Sequence, residues 1–269
     1  MAFFADQLGR SVELLNAPKR IVSLVPSQTE LLFDLGLNDK VVGITKFCVH
    51  PEGWYRTKKR IGGTKQLHID EIKALTPDLI IANKEENVRD QIEELAKDFP
   101  VWISDVNNLD SALSMITGIG EITSRKPQAK EIIHQIQTTF SQLPAISVKP
   151  TTCYLIWKDP FMTVGGDTFI NDMLKYAGFQ NVFENRKRYP ELTFENLKTF
   201  NCNLILLSSE PYPFKESHVK ELQSVLPDTT MILVDGEMFS WYGSRLIKAP
   251  AYFRQLQNQI LSLENARRS

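Results

Sequence analysis

The sequence predicts an α/β protein with two Rossmann-like lobes, each built on a parallel sheet, joined by a single long connecting helix. Three observations carry this. Strand-like apolar runs alternate with helix-like amphipathic ones along the chain. The second half repeats blocks of the first in the same order. A proline-bounded helical run, without the glycine and serine of a flexible linker, lies between the halves.

In chain order, IVSLV (21–25) reads as a buried strand, TELLFDLGL (29–37) as an amphipathic helix and VVGIT (41–45) as the next strand. LIIAN (79–83) is followed by the helical NVRDQIEELAKDF (87–99), which precedes VWISD (101–105). Strands separated by helical patterns of about 10–15 residues imply parallel βαβ units. IDEIKALTPDLIIA (69–82) then aligns without gaps to FENLKTFNCNLILL (194–207). Apolar residues coincide at Ile72/Leu197, Leu75/Phe200, Leu79/Leu204 and Ile80/Ile205, lysine at Lys73/Lys198, and an acid at Asp70/Glu195. VWISD matches MILVD (231–235), and SQTELLFDLGL (27–37) matches FINDMLKYAGF (169–179), with Gly36 opposite Gly178. Three blocks in one order point to duplicated lobes. Between them, Ile132, Ile133, Ile136 and Phe140 recur at helical spacing. Pro127 suits a first helical turn, and Pro144 and Pro150 close the run. A helix of about 17 residues would span roughly 25 Å. The boundaries expected are an N-terminal lobe 1–122, a connecting helix 123–145 and a C-terminal lobe 146–269. A stiff connector predicts a cleft of nearly fixed width between the lobes.

The 269 residues are 42% hydrophobic, enough to bury a sizeable core. With 31 basic and 32 acidic residues the formal net charge is −1, and no basic stripe calls for nucleic acid. The clusters 56–60 (RTKKR) and 186–188 (RKR) read as solvated loops. Three widely spaced cysteines, Cys48, Cys153 and Cys202, make no disulfide framework. No run approaches the roughly 20 apolar residues of a membrane span. The first 20 residues show no signal-peptide pattern, so as written the chain is expected to stay where it is made.

Open parallel sheets bind ligands beyond the carboxyl ends of their strands. The loops there carry Lys46–Pro51, then Trp54 and Tyr55, after 41–45, and Lys158–Phe161 after 153–157. Tyr212, Pro213 and Phe214 follow 204–208, and GEMFSWYGSR (236–245) follows MILVD. Trp54, Trp157 and Trp241 share this strand-end position, whereas Trp102 lies mid-strand and reads as core. Rings flanked by a few polar groups suit a large, flat, partly apolar ligand, although each could instead pack on its own lobe.

Cys48-Val49-His50 carries two metal-capable side chains, too few for a closed site, since His68, His134 and His218 lie far off in sequence. It is either an ordinary loop or the source of one axial ligand, His50 first and Cys48 second, to a metal already held in a chelate. The sequence contains no G-x-S-x-G, no phosphate loop and no H-E-x-x-H, so no enzymatic activity is expected. Gly118-Ile119-Gly120 lacks the rest of a dinucleotide fingerprint, and Gly62-Gly63 and Gly165-Gly166 read as turns. Asp70 and Glu195 each fall in a first helical turn, where a negative charge already suits the helix dipole.

Residues 18–37 (PKRIVSLVPSQTELLFDLGL), 69–82, 160–174 (PFMTVGGDTFINDML), 189–197 (YPELTFENL) and the last aromatic loop resemble the periplasmic binding proteins of ABC importers for cobalamin, haem and ferric siderophores. The resemblance runs from about residue 5 to 262 and leans to the cobalamin-binding branch. It implies two α/β lobes on one rigid helix, and one acid per lobe docking onto permease arginines, here Asp70 and Glu195. In the cobalamin binder, a tyrosine and a tryptophan of the first lobe and an Asp and an Arg of the last loop touch the corrinoid. Those positions fall here at Phe47, near Lys65, and near Glu237 and Trp241. The candidate ligand contacts are therefore Phe47, His50, Trp54, Lys65 and Trp157, with Phe239, Trp241, Tyr242 and Arg245 from the last loop. The expectation is a monomeric receptor with no intrinsic cofactor. Its ligand is a cobalt or iron chelate, foremost a corrinoid, and its partner an ABC permease. The resemblance implies a periplasmic or cell-surface location, while the missing leader leaves a cytoplasmic carrier or sensor open. A metal-dependent enzyme using Cys48 and His50 is the other alternative.

Overall fold

The computed structural model describes residues 1–144, 146, 149–200 and 202–268, and from 264 to 268 the backbone alone. Ala145, where the sequence reading ends the connector, and Asn201, inside the second repeat block, lie outside the described residues. The chain opens with an antiparallel hairpin of β1 (Ala2–Ala5) and β2 (Ser11–Leu14). There follow β3 (Ile21–Ser23), α1 (Pro26–Asp34), β4 (Val41–Ile44), α2 (Glu52–Thr57), β5 (Lys59–Arg60), α3 (Ile69–Ala74), β6 (Leu79–Asn83), α4 (Arg89–Leu95) and β7 (Val101–Ser104). Strands β3 to β7 form one parallel sheet in the order β5-β4-β3-β6-β7. Strands β3, β6 and β7 are buried throughout, as parallel strands under helices must be, whereas the edge strand β5 is exposed.

Two helices follow, α5 (Leu109–Ile122) and α6 (Lys126–Ser141). Pro127 is the second residue of α6, where its missing N–H would have had no helical partner. Gly118 and Gly120 serve packing rather than a nucleotide. A Cβ on Gly118 would fall 2.7 Å from Trp102 Cζ2, and one on Gly120 would strike Ala129 Cβ.

The second half contributes β8 (Thr151–Leu155), β9 (Phe161–Met162), α7 (Phe169–Tyr176), β10 (Gln180–Asn181), β11 (Glu191–Leu192), α8 (Phe194–Thr199), β12 (Leu204–Ser208), α9 (Glu216–Val225) and β13 (Thr230–Val234). It ends with α10 (Glu237–Ser240), a 3-10 turn (Ser244–Ile247) and α11 (Ala249–Arg268). A second parallel sheet runs β10-β8-β12-β13, and β9 and β11 pair apart from it. Strand β8 ends at Leu155, short of the sequence expectation. Trp157 lies beyond it, in an antiparallel bridge to Met162.

The repeat recurs in strand register and in the C-terminal caps of two helices. Ile80 pairs with Val101 in the first sheet, and their repeat equivalents Ile205 and Met231 pair in the second. Helices α1 and α7 both end in a Schellman motif. Gly36 N–H donates to Phe33 O and Leu37 N–H to Leu32 O, while Gly178 N–H donates to Lys175 O and Phe179 N–H to Leu174 O. Both glycines take positive φ, 73° and 80°, which residues with a Cβ adopt at a cost.

By packing, the chain divides into two compact units. One holds Met1–Val106, Asp110–Gln137 and Trp241–Ile247; the other holds Asn107–Leu109, Thr138–Ser240 and Lys248–Ser269. The chain leaves the first unit within α6, after Gln137. The short segments 107–109 and 241–247, each following the last strand of one sheet, belong with the opposite half. In the second unit, Cys153, Leu155, Phe161, Phe183, Ile205 and Leu207 anchor the core.

Candidate functional site

In the first unit the loop after β4, Lys46–Pro51, alternates outward and inward. Phe47 is 51% exposed and Val49 is exposed, while Cys48 between them is fully buried. Lys46 Nζ lies 5.1 Å from the Phe47 ring centroid, and Gly63 leaves room for that ring. Thr29 Oγ1 donates to Cys48 Sγ at 3.1 Å, and Thr45 Oγ1 is 3.2 Å away. Burial pushes the Cys48 thiol up, so the thiolate that a metal needs is disfavoured. The fold turns Cys48 inward and leaves His50, which is half-buried, as the metal-capable group at the loop's end.

The His50 ring meets Trp241 edge-on, with centroids 5.4 Å apart at 72°. Trp241, 6% exposed, also lies 4.7 Å from the guanidinium carbon of Arg245. That guanidinium forks onto a carboxylate of α1, donating from Nε to Glu30 Oε2 and from Nη2 to Glu30 Oε1, each at 2.8 Å. The segment can seat this closely because position 243 is glycine; a Cβ there would fall 2.8 Å from Ser27 O. Tyr242 is buried beside it. The stretch GEMFSWYGSR thus divides. Phe239 is fully buried in the second unit against Tyr154 and Phe253, at 5.2 and 4.9 Å, while Trp241 onward packs in the first unit.

Two other candidates make local contacts. Trp54, 4% exposed, stands edge-on to Phe33 at 5.5 Å, and its indole N–H donates to Asn38 Oδ1. Lys65 is exposed, and its ammonium donates to Glu85 O.

In the second unit Trp157 is 41% exposed and meets Tyr212 edge-on at 5.7 Å. Tyr212 is held from behind by Phe214 at 4.8 Å, and its hydroxyl is 3.3 Å from His218 Nε2. His218 Nδ1 accepts from Lys215 N–H at 2.9 Å at the start of α9, which leaves Nε2–H to donate to Tyr212. Neighbouring Lys158 pairs with Glu221.

Asp70 and Glu195 occupy the first turns of α3 and α8, and both are exposed. Lys198 Nζ lies 3.5 Å from Glu195, whereas its repeat partner Lys73 reaches Glu94 and Asp98 instead. Among the described residues no three or more His, Cys, Asp or Glu side chains form a group that could hold a metal ion. A bare ion finds no closed ligand set there. Sequence reasoning missed Glu30 and the Tyr212–His218 pair. Glu30 had one signal, since the repeat places it opposite Asp172, and Asp172 Oδ2 accepts from Leu109 N–H at 2.8 Å. Each acid therefore binds the segment that follows the other half's last strand. His218 had none, because its tie to Tyr212 is made only in the folded loop.

Two α/β units built by duplication, each with a parallel sheet and ring-bearing strand-end loops, define a bilobal α/β protein. A family model described as periplasmic binding protein matches residues 21–227, and the chain belongs to that family. It is 26% identical over 197 residues to the vitamin B12-binding protein of Yersinia pestis (strain Pestoides F), covering 71% of this chain and 70% of that one. Among solved structures it is similar to the periplasmic vitamin B12 binding protein BtuF of Vibrio cholerae, with TM-score 0.74, 21% identity, and 90% and 98% of the two chains covered. It is also similar to the periplasmic heme-binding protein RhuT of Roseiflexus sp. RS-1, with TM-score 0.75, 20% identity, and 87% and 97% covered. At these identities the structures speak for the fold alone. They bear out the two-lobed α/β class expected from the sequence.

Proposed function

We propose that this protein is the substrate-binding component of an ABC importer for a metal chelate, a corrinoid foremost. The family assignment supports the general role, and the B12-binding and heme-binding relatives support the ligand class. The observation that carries the reading is the presentation of rings beyond the strand ends of each sheet. Phe47 and His50 lie on the first unit, and Trp157, backed by Tyr212, lies on the second. Exposed aromatic faces cover a flat macrocycle at low entropic cost, and each has few internal torsions to lose. His50 is the candidate axial ligand to the chelated metal, which is cargo and arrives with its own equatorial donors. The rival reading, a metal enzyme at Cys48 and His50, loses its second ligand, because the Cys48 thiol is turned onto two threonine hydroxyls.

Delivery would use Asp70 and Glu195, exposed acids at equivalent first-turn positions of α3 and α8. The test is an absorbance titration of purified protein with cyanocobalamin, aquocobalamin, ferric haem and a ferric hydroxamate in turn. The expected result is a saturable band shift or co-elution with one class. Binding to none of them under gel filtration would overturn the chelate reading.

A further inference from the structure

We propose that Glu30 is a positioning residue for His50, acting through Arg245 and Trp241. Four groups from three segments of the first unit stand in contact in sequence: carboxylate, guanidinium, indole, imidazole. The first link is a two-point fork, which fixes the guanidinium plane as well as its distance. The second places that cation against the Trp241 ring at 4.7 Å. The third sets the indole edge-on to His50 at 5.4 Å. Glu30 and Arg245 side chains are only 10% and 8% exposed, so the pair has lost most of its hydration, a cost that good geometry has to offset.

A tether alone would not need this. The repeat supplies the comparison, since Asp172 stands opposite Glu30 and accepts the Leu109 backbone N–H of its own passing segment. At the equivalent place in the first unit the chain uses a desolvated ion pair and a stacked indole, and the stack ends on an imidazole at the edge of an exposed loop. Glu30 therefore does more than hold residues 241–247: it sets which way the His50 ring faces. That this matters for ligand capture rests on the reading of His50 as the chelate's axial ligand.

The experiment has two arms on the full chain, with wild type, Glu30→Gln, Arg245→Lys and Trp241→Leu. Without ligand, the imidazole C–H proton resonances of His50 report the ring current of Trp241. The expected result is that Glu30→Gln moves them to the positions seen in Trp241→Leu. With ferric haem or aquocobalamin, whichever wild type binds, affinity is expected to fall about 10–100-fold, the usual loss when the partner that orients a metal ligand is removed. The imidazole-ligated absorbance band is expected to be lost with it. Arg245→Lys keeps the charge but not the fork, and it carries the same expectation should Glu30→Gln fail to fold. A lowered melting temperature with His50 resonances and affinity unchanged would reduce the pair to a staple and overturn the proposal. Absence of any chelate binding by wild type would overturn the proposed function instead, leaving the ring-current arm to decide the positioning.

Discussion

At the scale of single residues, exposure separates rings that the sequence treats alike. Trp54 and Trp157 both follow a strand, but Trp54 is enclosed by Phe33 and Asn38 and Trp157 is open on one side. Trp54→Ala should cost about 3–5 kcal/mol of stability, the range for truncating a buried aromatic. Trp157→Ala should leave a urea melt nearly unchanged and weaken chelate binding by about 1–3 kcal/mol, the loss expected for an aromatic anchor. Parallel melts and titrations of the two variants check both. The cysteines make a second residue-scale case. All three are buried, and burial raises each thiol above the ordinary cysteine range. Because the thiolate is the nucleophile, a raised pKa slows labelling. At pH 8 the folded protein should therefore react far more slowly with a thiol reagent than the urea-unfolded chain, and the rate should rise with pH. Fast labelling of the folded chain would contradict this burial. Ring direction was illegible in the sequence because it depends on neighbours such as Asn38 that nothing local marks.

At the scale of elements, pattern was a good guide. The glycines closing SQTELLFDLGL and FINDMLKYAGF are matched C′ residues of α1 and α7, and their shared hydrogen bonds explain why both blocks need glycine there. Gly36 has open space around an added Cβ, so Gly36→Ala should lose only the left-handed penalty, about 1 kcal/mol. At Gly178 the Cβ would meet the Ile146 side chain as well, so Gly178→Ala should lose clearly more. Urea unfolding of the two variants ranks them; equal losses would mean that the second site relaxes freely. The helix at 126–141 was legible from its period and its proline. The end of β8 was not, because CYLIW is apolar throughout and gives no signal for where pairing stops.

At the scale of the whole molecule, duplication is the organising fact. The same strand register recurs in the two sheets, and each half contributes a short segment to the opposite unit, 107–109 and 241–247. The two exposed acids found from the repeat, Asp70 and Glu195, give this scale its prediction. Asp70→Lys combined with Glu195→Lys should leave chelate affinity intact and abolish uptake by the reconstituted permease. The measurement is ligand titration beside transport in proteoliposomes. Transport at the wild-type rate would leave the acids as helix-dipole partners alone. Among the described residues no helix is long and apolar enough to cross a membrane.

The sequence by itself determined the α/β class, the repeat of blocks between the halves and the helix at 126–141, and it marked the strand-end loops as candidates. These follow from periodicity and turn chemistry, which act over a few residues. Only the tertiary structure decided which side chains of those loops face solvent. It turned Cys48 inward, buried Phe239 in one unit and carried Trp241 and Arg245 into the other. It also joined Arg245 to Glu30 across 215 positions of chain. Such pairings depend on which segments the packed core brings together, and no local pattern records that.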